Sequence, residues 1–329
     1  GTAPMEYRVL PKTELKVSRL SMGTMTFGSQ VSEPDAHRML DRCLEAGINF
    51  IDTANLYNQG ASEVILGNWL KPHRDKVILA SKVRGKMTTG EGGDVVGLSP
   101  AAMRKALEAS LQRLQTETLD IYYLHQPDYD VPITETLETM AAFIREGKVR
   151  HSAVSNYAAW QVAQIHSLSE KKGTAPPRIS QPMYNLLARG IEEEYLPFCK
   201  EFEVAVVPYN PLAGGMLTGK HKAGRVPASG TRFDGNKMYL DRYWNDQYFQ
   251  TLEQVSEIAR EAGRSMVELA FQWLLSQPIV DSVILGASCL EQLEANLAAC
   301  EKPRLEQATL DRCNEVWRRL RGVTPKYHR

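Results

Sequence analysis

The sequence lacks net charge: Lys plus Arg and Asp plus Glu number 39 each. That balance excludes a general binder of nucleic acid or anionic membranes, which needs an excess of basic side chains. Long apolar runs are missing too. Val204-Ala205-Val206-Val207 is among the longest and stops at Pro208, far short of the ~20 residues of a membrane helix. The N-terminus GTAPMEYR has no basic-then-apolar leader, so a cytoplasmic location is expected. Met5 is read as the native start and Gly1–Pro4 as a scar left by expression. Cysteine is scarce: Cys43, Cys199, Cys289, Cys300 and Cys313 are odd in number, far apart and without a CxxC pair. This excludes a disulfide framework or zinc site and fits small half-buried thiols in a reducing compartment; no metal is expected. Finally, neither Gly23–Gly28 nor Gly90–Gly97 matches G-x-G-x-x-G. A nicotinamide cofactor would therefore not bind in the Rossmann manner.

What is present is alternation. With 43% hydrophobic and 24% charged residues the chain reads as globular. Short apolar strands are expected at Leu20–Gly23, Asn49–Asp52, Val77–Lys82, Leu119–His125, Val149–Val154, Ile179–Gln181, Val204–Pro208 and Ser282–Leu285. Helical periodicity separates them at Pro34–Ala46, Ser62–Leu70, Pro100–Leu114, Ile133–Arg145, Ala158–Ser169 and Ile191–Lys200. It continues over Asp246–Gln277, in two pieces, and Leu290–Ala299. Ser99-Pro100 offers a cap and a first-turn proline, while Gly47, Gly147 and Gly263 stand where helices should stop. Strand–helix repeats of this number fit a (β/α)8 barrel, usually of roughly 250 residues plus insertions. No linker interrupts them, so one domain over residues 5–329 is expected. The one long irregular stretch, Asn210–Asn245, follows the seventh strand, and the tail from Thr324 is read as a loose flap.

Gly214-Gly215-Met216-Leu217-Thr218-Gly219-Lys220-His221 nearly matches a P-loop, but His221 stands where a magnesium-holding Ser or Thr is needed. Such a loop could still cradle another nucleotide's phosphates. A second constellation is more informative. Asp52, Lys82 and His125 end successive strands, at the end where barrel active sites lie, and Tyr57 follows in the loop. Each alone has a plain explanation: a loop cap, a solvated strand end, a satisfied polar residue, a packed ring. Together they make an acid–base device. Tyr titrates near 10, a neighbouring ammonium favours phenolate, and a carboxylate keeps that ammonium charged. Such a group can protonate a carbonyl oxygen while its carbon receives a hydride.

These residues resemble the aldo-keto reductases. The motif carriers are Asp52-Thr53-Ala54-Asn55-Leu56-Tyr57, Leu79-Ala80-Ser81-Lys82, Leu119 to His125 followed by Gln126-Pro127-Asp128, Gly147-Lys148-Val149-Arg150, and Val154-Ser155-Asn156. The likeness runs from about Tyr7 to Leu320. It implies a barrel that reduces small-molecule carbonyl substrates with NADP(H), Asp52, Tyr57, Lys82 and His125 being catalytic. It places Gly23, Thr24 and Met25 at the nicotinamide edge, and Ser155, Asn156 and Gln181 on the carboxamide. Tyr209 would stack on the nicotinamide. Asn210, Leu212 and Gly214 would open the pyrophosphate loop, with Lys220 and Arg232 as phosphate contacts. Gly286, Ser288, Gln292 and Asn296 would meet the adenosine phosphate, where a helix N-terminus suits an anion.

Departures qualify this. Gly286 and Gln292 stand where some branches place Lys and Arg, which weakens a 2′-phosphate clamp. The Gly-x-Ser-x-x-x-Gln-x-x-x-Asn form resembles the branch of aflatoxin-aldehyde reductases, bacterial relatives and potassium-channel beta subunits. Ala153 replaces a usual glycine, and Pro11-Lys12 the common glycine of an N-terminal hairpin. The resemblance thus leaves two functions: an NADPH-dependent reductase, or a cofactor-binding regulatory subunit. The channel subunits carry asparagine at the position of His125, so the full tetrad favours the enzyme. Substrate choice is expected to depend on Gln126–Pro132, the loop after strand seven and the tail. Tyr129, Tyr243 and Trp244 are read either as pocket walls or as ordinary loop packing. Oligomeric state is not legible in the sequence.

Overall fold

The chain begins with a hairpin of β1 (Tyr7–Val9) and β2 (Lys16–Ser18), paired antiparallel. Lys12 takes the left-handed conformation of its turn, φ 58°, where the resemblance leads one to look for glycine. The computed structural model describes residues 4–87, 95–219 and 237–328; of the expected expression scar, Gly1–Ala3 lie outside these. Eight strands follow: β3 (Leu20–Gly23), β4 (Phe50–Asp52), β5 (Ile78–Val83), β6 (Leu119–Leu124), β7 (Val149–Ser155), β8 (Ile179–Gln181), β9 (Ala205–Val206) and β10 (Val283–Leu285). Each lies in an expected strand or within a residue of it. All are parallel, in the order β10-β3-β4-β5-β6-β7-β8-β9. A bridge from Val206 to Val280 and the bond from Asp281 N to Val206 O (2.9 Å) return β9 to the segment entering β10. The sheet thereby closes as a (β/α)8 barrel.

Period-two alternation sorts the strand residues. Phe50, Ala80, Ile121, Tyr123, Ala153, Ile179, Ala205, Val207 and Ile284 fill the barrel, with Leu10, Leu15 and Val17 of the hairpin packed against them. Ile51, Leu79, Tyr122, Leu124, Val154, Val206, Val283 and Leu285 face outward into a second core shared with the helices. The helices are α1 (Glu33–Glu45), α2 (Ala61–Leu70), α3 (Pro100–Leu114), α4 (Ile133–Arg145), α5 (Ala159–Lys172), α6 (Tyr195–Phe202), α7 (Lys237–Tyr243), α8 (Asp246–Glu261), α9 (Met266–Leu275), α10 (Leu290–Glu301) and α11 (Gln307–Arg321). Their ends obey the sequence signals. Ser99 Oγ accepts from Ala102 N at 3.2 Å. Gly47, Gly147 and Gly263, at φ 90°, 72° and 69°, follow the ends of α1, α4 and α8.

Four expectations are revised. α6 starts at Tyr195, not Ile191, so Pro197 falls in its first turn, where a missing N–H costs no helix bond. The stretch Asn210–Asn245 contains α7 and a 3₁₀ turn over Ala213–Thr218. α11 was not expected, although Leu310, Cys313, Val316 and Trp317 carry its three- and four-residue spacing. The tail, read as a flap, does make contacts back to the body: Tyr327 bonds Glu194 and His328 Nε2 meets Glu193 O at 2.8 Å, beside the pair of Arg321 at the end of α11 with Glu193 (2.5 Å). The cysteines are free thiols; all but Cys289 are buried, and burial pushes Cys43 and Cys199 up to about 12.

The contact between α2 and α3 depends on Gly67. A Cβ there would stand 2.1 Å from Arg113 O and 2.9 Å from Leu114 Cα. Alanine normally favours a helix interior by about 1 kcal/mol over glycine. Here Gly67→Ala is expected to reverse that sign and destabilise the fold by about 1–3 kcal/mol, as overpacking does. Urea unfolding of the two proteins checks it; equal or greater stability in the variant refutes the tight contact.

Candidate active site

The inward phase that fills the barrel with Phe50, Ala80 and Tyr123 carries Asp52, Lys82 and His125 to the same side one step further along their strands. Lys82 has no solvent exposure and Asp52 is 2% exposed. The ammonium has three hydrogens, and three acceptors meet them: Asp52 Oδ2 at 2.6 Å, Thr53 O at 3.0 Å and Tyr57 OH at 3.0 Å. Asp52 Oδ1 accepts from Gln181 Nε2 at 2.9 Å. Burial alone would push Lys82 down; the Asp52 carboxylate and Tyr57 outweigh it, and the net displacement is upward. The group is a buried cation held by its anion. Behind it Ser81, on the outer face of β5, donates to Glu63 Oε2 at 2.7 Å and ties the strand to α2.

His125 faces Tyr57 edge-on, ring centroids 6.3 Å apart. Burial, with Lys82 nearby, pushes its pKa down to about 3, so the imidazole is neutral at ordinary pH. Around these residues opens a cavity of about 330 Å³. Of the sequence-predicted positions, Gly23, Thr24, Met25, Asp52, Tyr57, His125, Ser155, Asn156, Gln181, Tyr209, Asn210 and Gly286 line it. Lys82 lies beneath its floor. The edge opposite β4 is stitched together: Ser155 Oγ donates to Gln181 O (2.7 Å), Asn156 Nδ2 to His125 O (2.9 Å), and Tyr209 OH to Asn156 Oδ1 (2.6 Å).

A second cavity, of about 650 Å³, continues from the first through Thr26, Asn210, Pro211 and Gly286. Leu212, Gly214, Ser288, Gln292 and Asn296 line it. Ala213, Gly214 and Gly215 turn at φ 52°, 67° and 107°, and the turn is closed by its own backbone, Ala213 N donating to Asn210 O and Gly215 N to Leu212 O, both at 3.0 Å. Gln292 Oε1 accepts from Ser288 N and Oγ at 2.7 and 3.0 Å. Thr24 Oγ1 is buried with no hydrogen-bond partner among the described residues. The two cavities together make one elongated groove. Lys220 and Arg232 fall outside the described residues.

Two of the loops expected to set substrate choice reach the first cavity: Gln126 from the one, and Met238 and Arg242, four apart on α7, from the stretch after strand seven. The sequence does not single out the individual side chains on α7, because that stretch reads as irregular; Leu56, Gly85 and Ile284 complete the wall. Tyr129, Tyr243 and Trp244 do not line it. Tyr129 is 83% exposed beside a different surface cavity, Tyr243 is buried with its OH on Met183 Sδ (3.0 Å), and Trp244 packs edge-on to Phe249.

The pattern of the Aldo/keto reductase family matches residues 19–318. The chain belongs to that family. Its relatives include the human aldo-keto reductase family 7 member A3, 37% identical over 94% of this chain and 96% of that protein. A rice protein named "Probable voltage-gated potassium channel subunit beta" is 33% identical over 95% of this chain and 96% of its own length. Among solved structures, the holo form of the aldo-keto reductase AKR11C1 from Bacillus halodurans is 31% identical, with a TM-score of 0.75, covering 95% and 96% of the two chains. The family member described here is thus an NAD(P)H-dependent oxidoreductase. No helix among its described residues is long and apolar enough to cross a membrane.

The depressed pKa of His125 has a stability consequence. A native state that keeps this ring neutral binds fewer protons than the unfolded chain between pH 6.5 and about 3. Its contribution is present above pH 6.5 and is lost as pH falls. Relative to His125→Asn, the wild type is expected to lose about 1–2 kcal/mol more stability between pH 7 and pH 5. Denaturant titrations at both pH values decide it; parallel losses would mean the ring is not held neutral.

Proposed function

We propose that the protein reduces aldehyde or ketone carbonyls to alcohols with NADPH, Tyr57 acting as general acid. One observation carries this: the Lys82 ammonium lies 3.0 Å from the Tyr57 hydroxyl with Asp52 2.6 Å behind it. A nicotinamide dinucleotide bound along the groove supplies the hydride. Gly23, Thr24 and Met25 form its nicotinamide edge; Ser155, Asn156 and Gln181 hold the carboxamide; Tyr209 gives the stacking ring. Asn210, Leu212 and Gly214 take the pyrophosphate, helped by Lys220 and Arg232. Gly286, Ser288, Gln292 and Asn296 take the adenosine phosphate at the start of α10.

Tyr57 accepts a hydrogen bond from Lys82, so its own O–H donates away from the ammonium. A carbonyl oxygen placed between Tyr57 and His125 receives that proton as its carbon is reduced. Lys82 stabilises the phenolate left behind, and Asp52 keeps Lys82 charged. His125 is neutral, so it offers a hydrogen bond and not a net proton. A regulatory, binding-only role would leave this proton-transfer set without use.

Tyr57→Phe keeps the ring and removes only the proton. It is expected to bind NADPH while turnover falls about 10²-fold or more. Steady-state rates and cofactor fluorescence on the folded variant check this; wild-type turnover would remove Tyr57 from the mechanism. NADPH is expected to bind about tenfold more tightly than NADH, one charge-assisted bond to the 2′-phosphate being worth roughly 1.5–3 kcal/mol. Gln292 supplies a neutral amide and not a guanidinium, so the preference is moderate. Titration with both cofactors at two salt concentrations tests it; equal or tighter NADH binding defeats the assignment.

A further inference from the structure

The residue after the proposed acid has an unusual station. Asn58 and Gln59 both lie in the left-handed region, at φ 51° and 52°, a conformation Asn tolerates better than most residues. That turn aims the Asn58 amide away from Tyr57 and across to the loop after β3. Asn58 Nδ2 donates to Phe27 O at 2.7 Å and to Met25 O at 3.0 Å, and lies 3.3 Å from Ser62 Oγ. Ser62 Oγ itself donates to Phe27 O at 2.7 Å. The Tyr57 loop is thus pinned to the segment that carries Met25 on the cavity wall. Strand geometry does not do this: β4 ends at Asp52, five residues before Tyr57. Lys82 reaches the phenol oxygen from below, and Asn58 fixes its chain from the side.

We propose that Asn58 is a positioning residue that holds Tyr57 at bonding distance from Lys82 and in register with the nicotinamide edge. This rests on the reading of Tyr57 as general acid. Misplacing a reacting group by about 1 Å costs up to 10²-fold in rate.

Two variants separate positioning from folding. Asn58→Gly keeps the left-handed backbone and deletes the amide. Asn58→Asp keeps the shape but turns a donor into an acceptor facing two carbonyl oxygens. Thermal unfolding gives the folded fraction of each, and rates are expressed per folded enzyme. For wild type and variants, kcat and KM for reduction of a simple aromatic aldehyde are measured. The expected result is a kcat per folded enzyme about tenfold or more lower, with a smaller change in KM. A merely structural role would lower the folded fraction and leave kcat per folded enzyme in place. Wild-type kcat per folded enzyme in either variant, or a loss carried by KM alone, overturns the proposal. The two readings fail separately: a wild type that reduces no aldehyde with NADPH or NADH fails the function, whereas an active wild type with unaffected variants fails only Asn58.

Discussion

An ammonium group sealed from water must be matched by an anion or give up its proton. Lys82 is sealed, and each of its hydrogens has a partner. That single requirement fixes much around it. Asp52 must be ionised and close, so the ends of β4 and β5 must stay in register. Gln181 must turn its amide to the remaining oxygen of Asp52, which recruits β8 from across the barrel. Breaking such a set by removing one member leaves an uncompensated buried charge, commonly a loss of about 3–5 kcal/mol. Asp52, Lys82 and Gln181 are therefore structural and electrostatic at once, and their effects on rate and stability will not add simply.

The barrel makes this affordable to position. Parallel strands with period two place every second residue inside. The layer of Phe50, Ala80 and Tyr123 is apolar; the next inward positions are Asp52, Lys82 and His125. The change from apolar to charged happens within one step, at the rim. Below it the core excludes water, which strengthens the Lys82–Asp52 attraction. Above it the cavity admits a ligand. The rings of Tyr57 and Tyr123, 4.8 and 5.8 Å from Lys82 Nζ, add two aromatic faces to the cation's surroundings.

This division explains what could be read from the chain. Strands such as Ile179–Gln181 and helices such as Pro100–Leu114 were legible to the residue, because apolar period and caps act locally. The strand-end tetrad was legible because each member falls at a strand end or in the loop directly after it. The wall on α7 was not. Met238 and Arg242 sit in a stretch dominated by Gly, Pro and charge, whose helix is short and packs on a site formed by distant strands. Tyr243 and Trp244 read from sequence either as pocket walls or as loop packing, and tertiary packing decides between the two: Tyr243 is buried and Trp244 packs on Phe249. Asn58 was invisible because its amide bonds to backbone carbonyls more than thirty residues away, which no side-chain spacing records.

The two ends of the groove are built on different physics. The chemical end is dry, ionic and pinned: strand ends, a buried cation and a loop tied by Asn58. The far end, among the described residues, is lined mainly by amides, hydroxyls and apolar groups, with Glu268 and Lys302 also on its wall. Ser288, Gln292 and Asn296 spend hydrogen bonds on one another and on Gly286 O (3.0 Å), and so shape the turn before α10. A rigid ionic end suits proton transfer, where a small displacement costs rate. Hydrogen bonds to amides are released more readily than desolvated ion pairs, so the two ends differ in how firmly they are held. Exposed Met25, Leu56 and Met238, at 39%, 36% and 50%, ring the cavity at the ionic end. Their apolar surface at the mouth is area that a ligand entering the cavity would cover and remove from water.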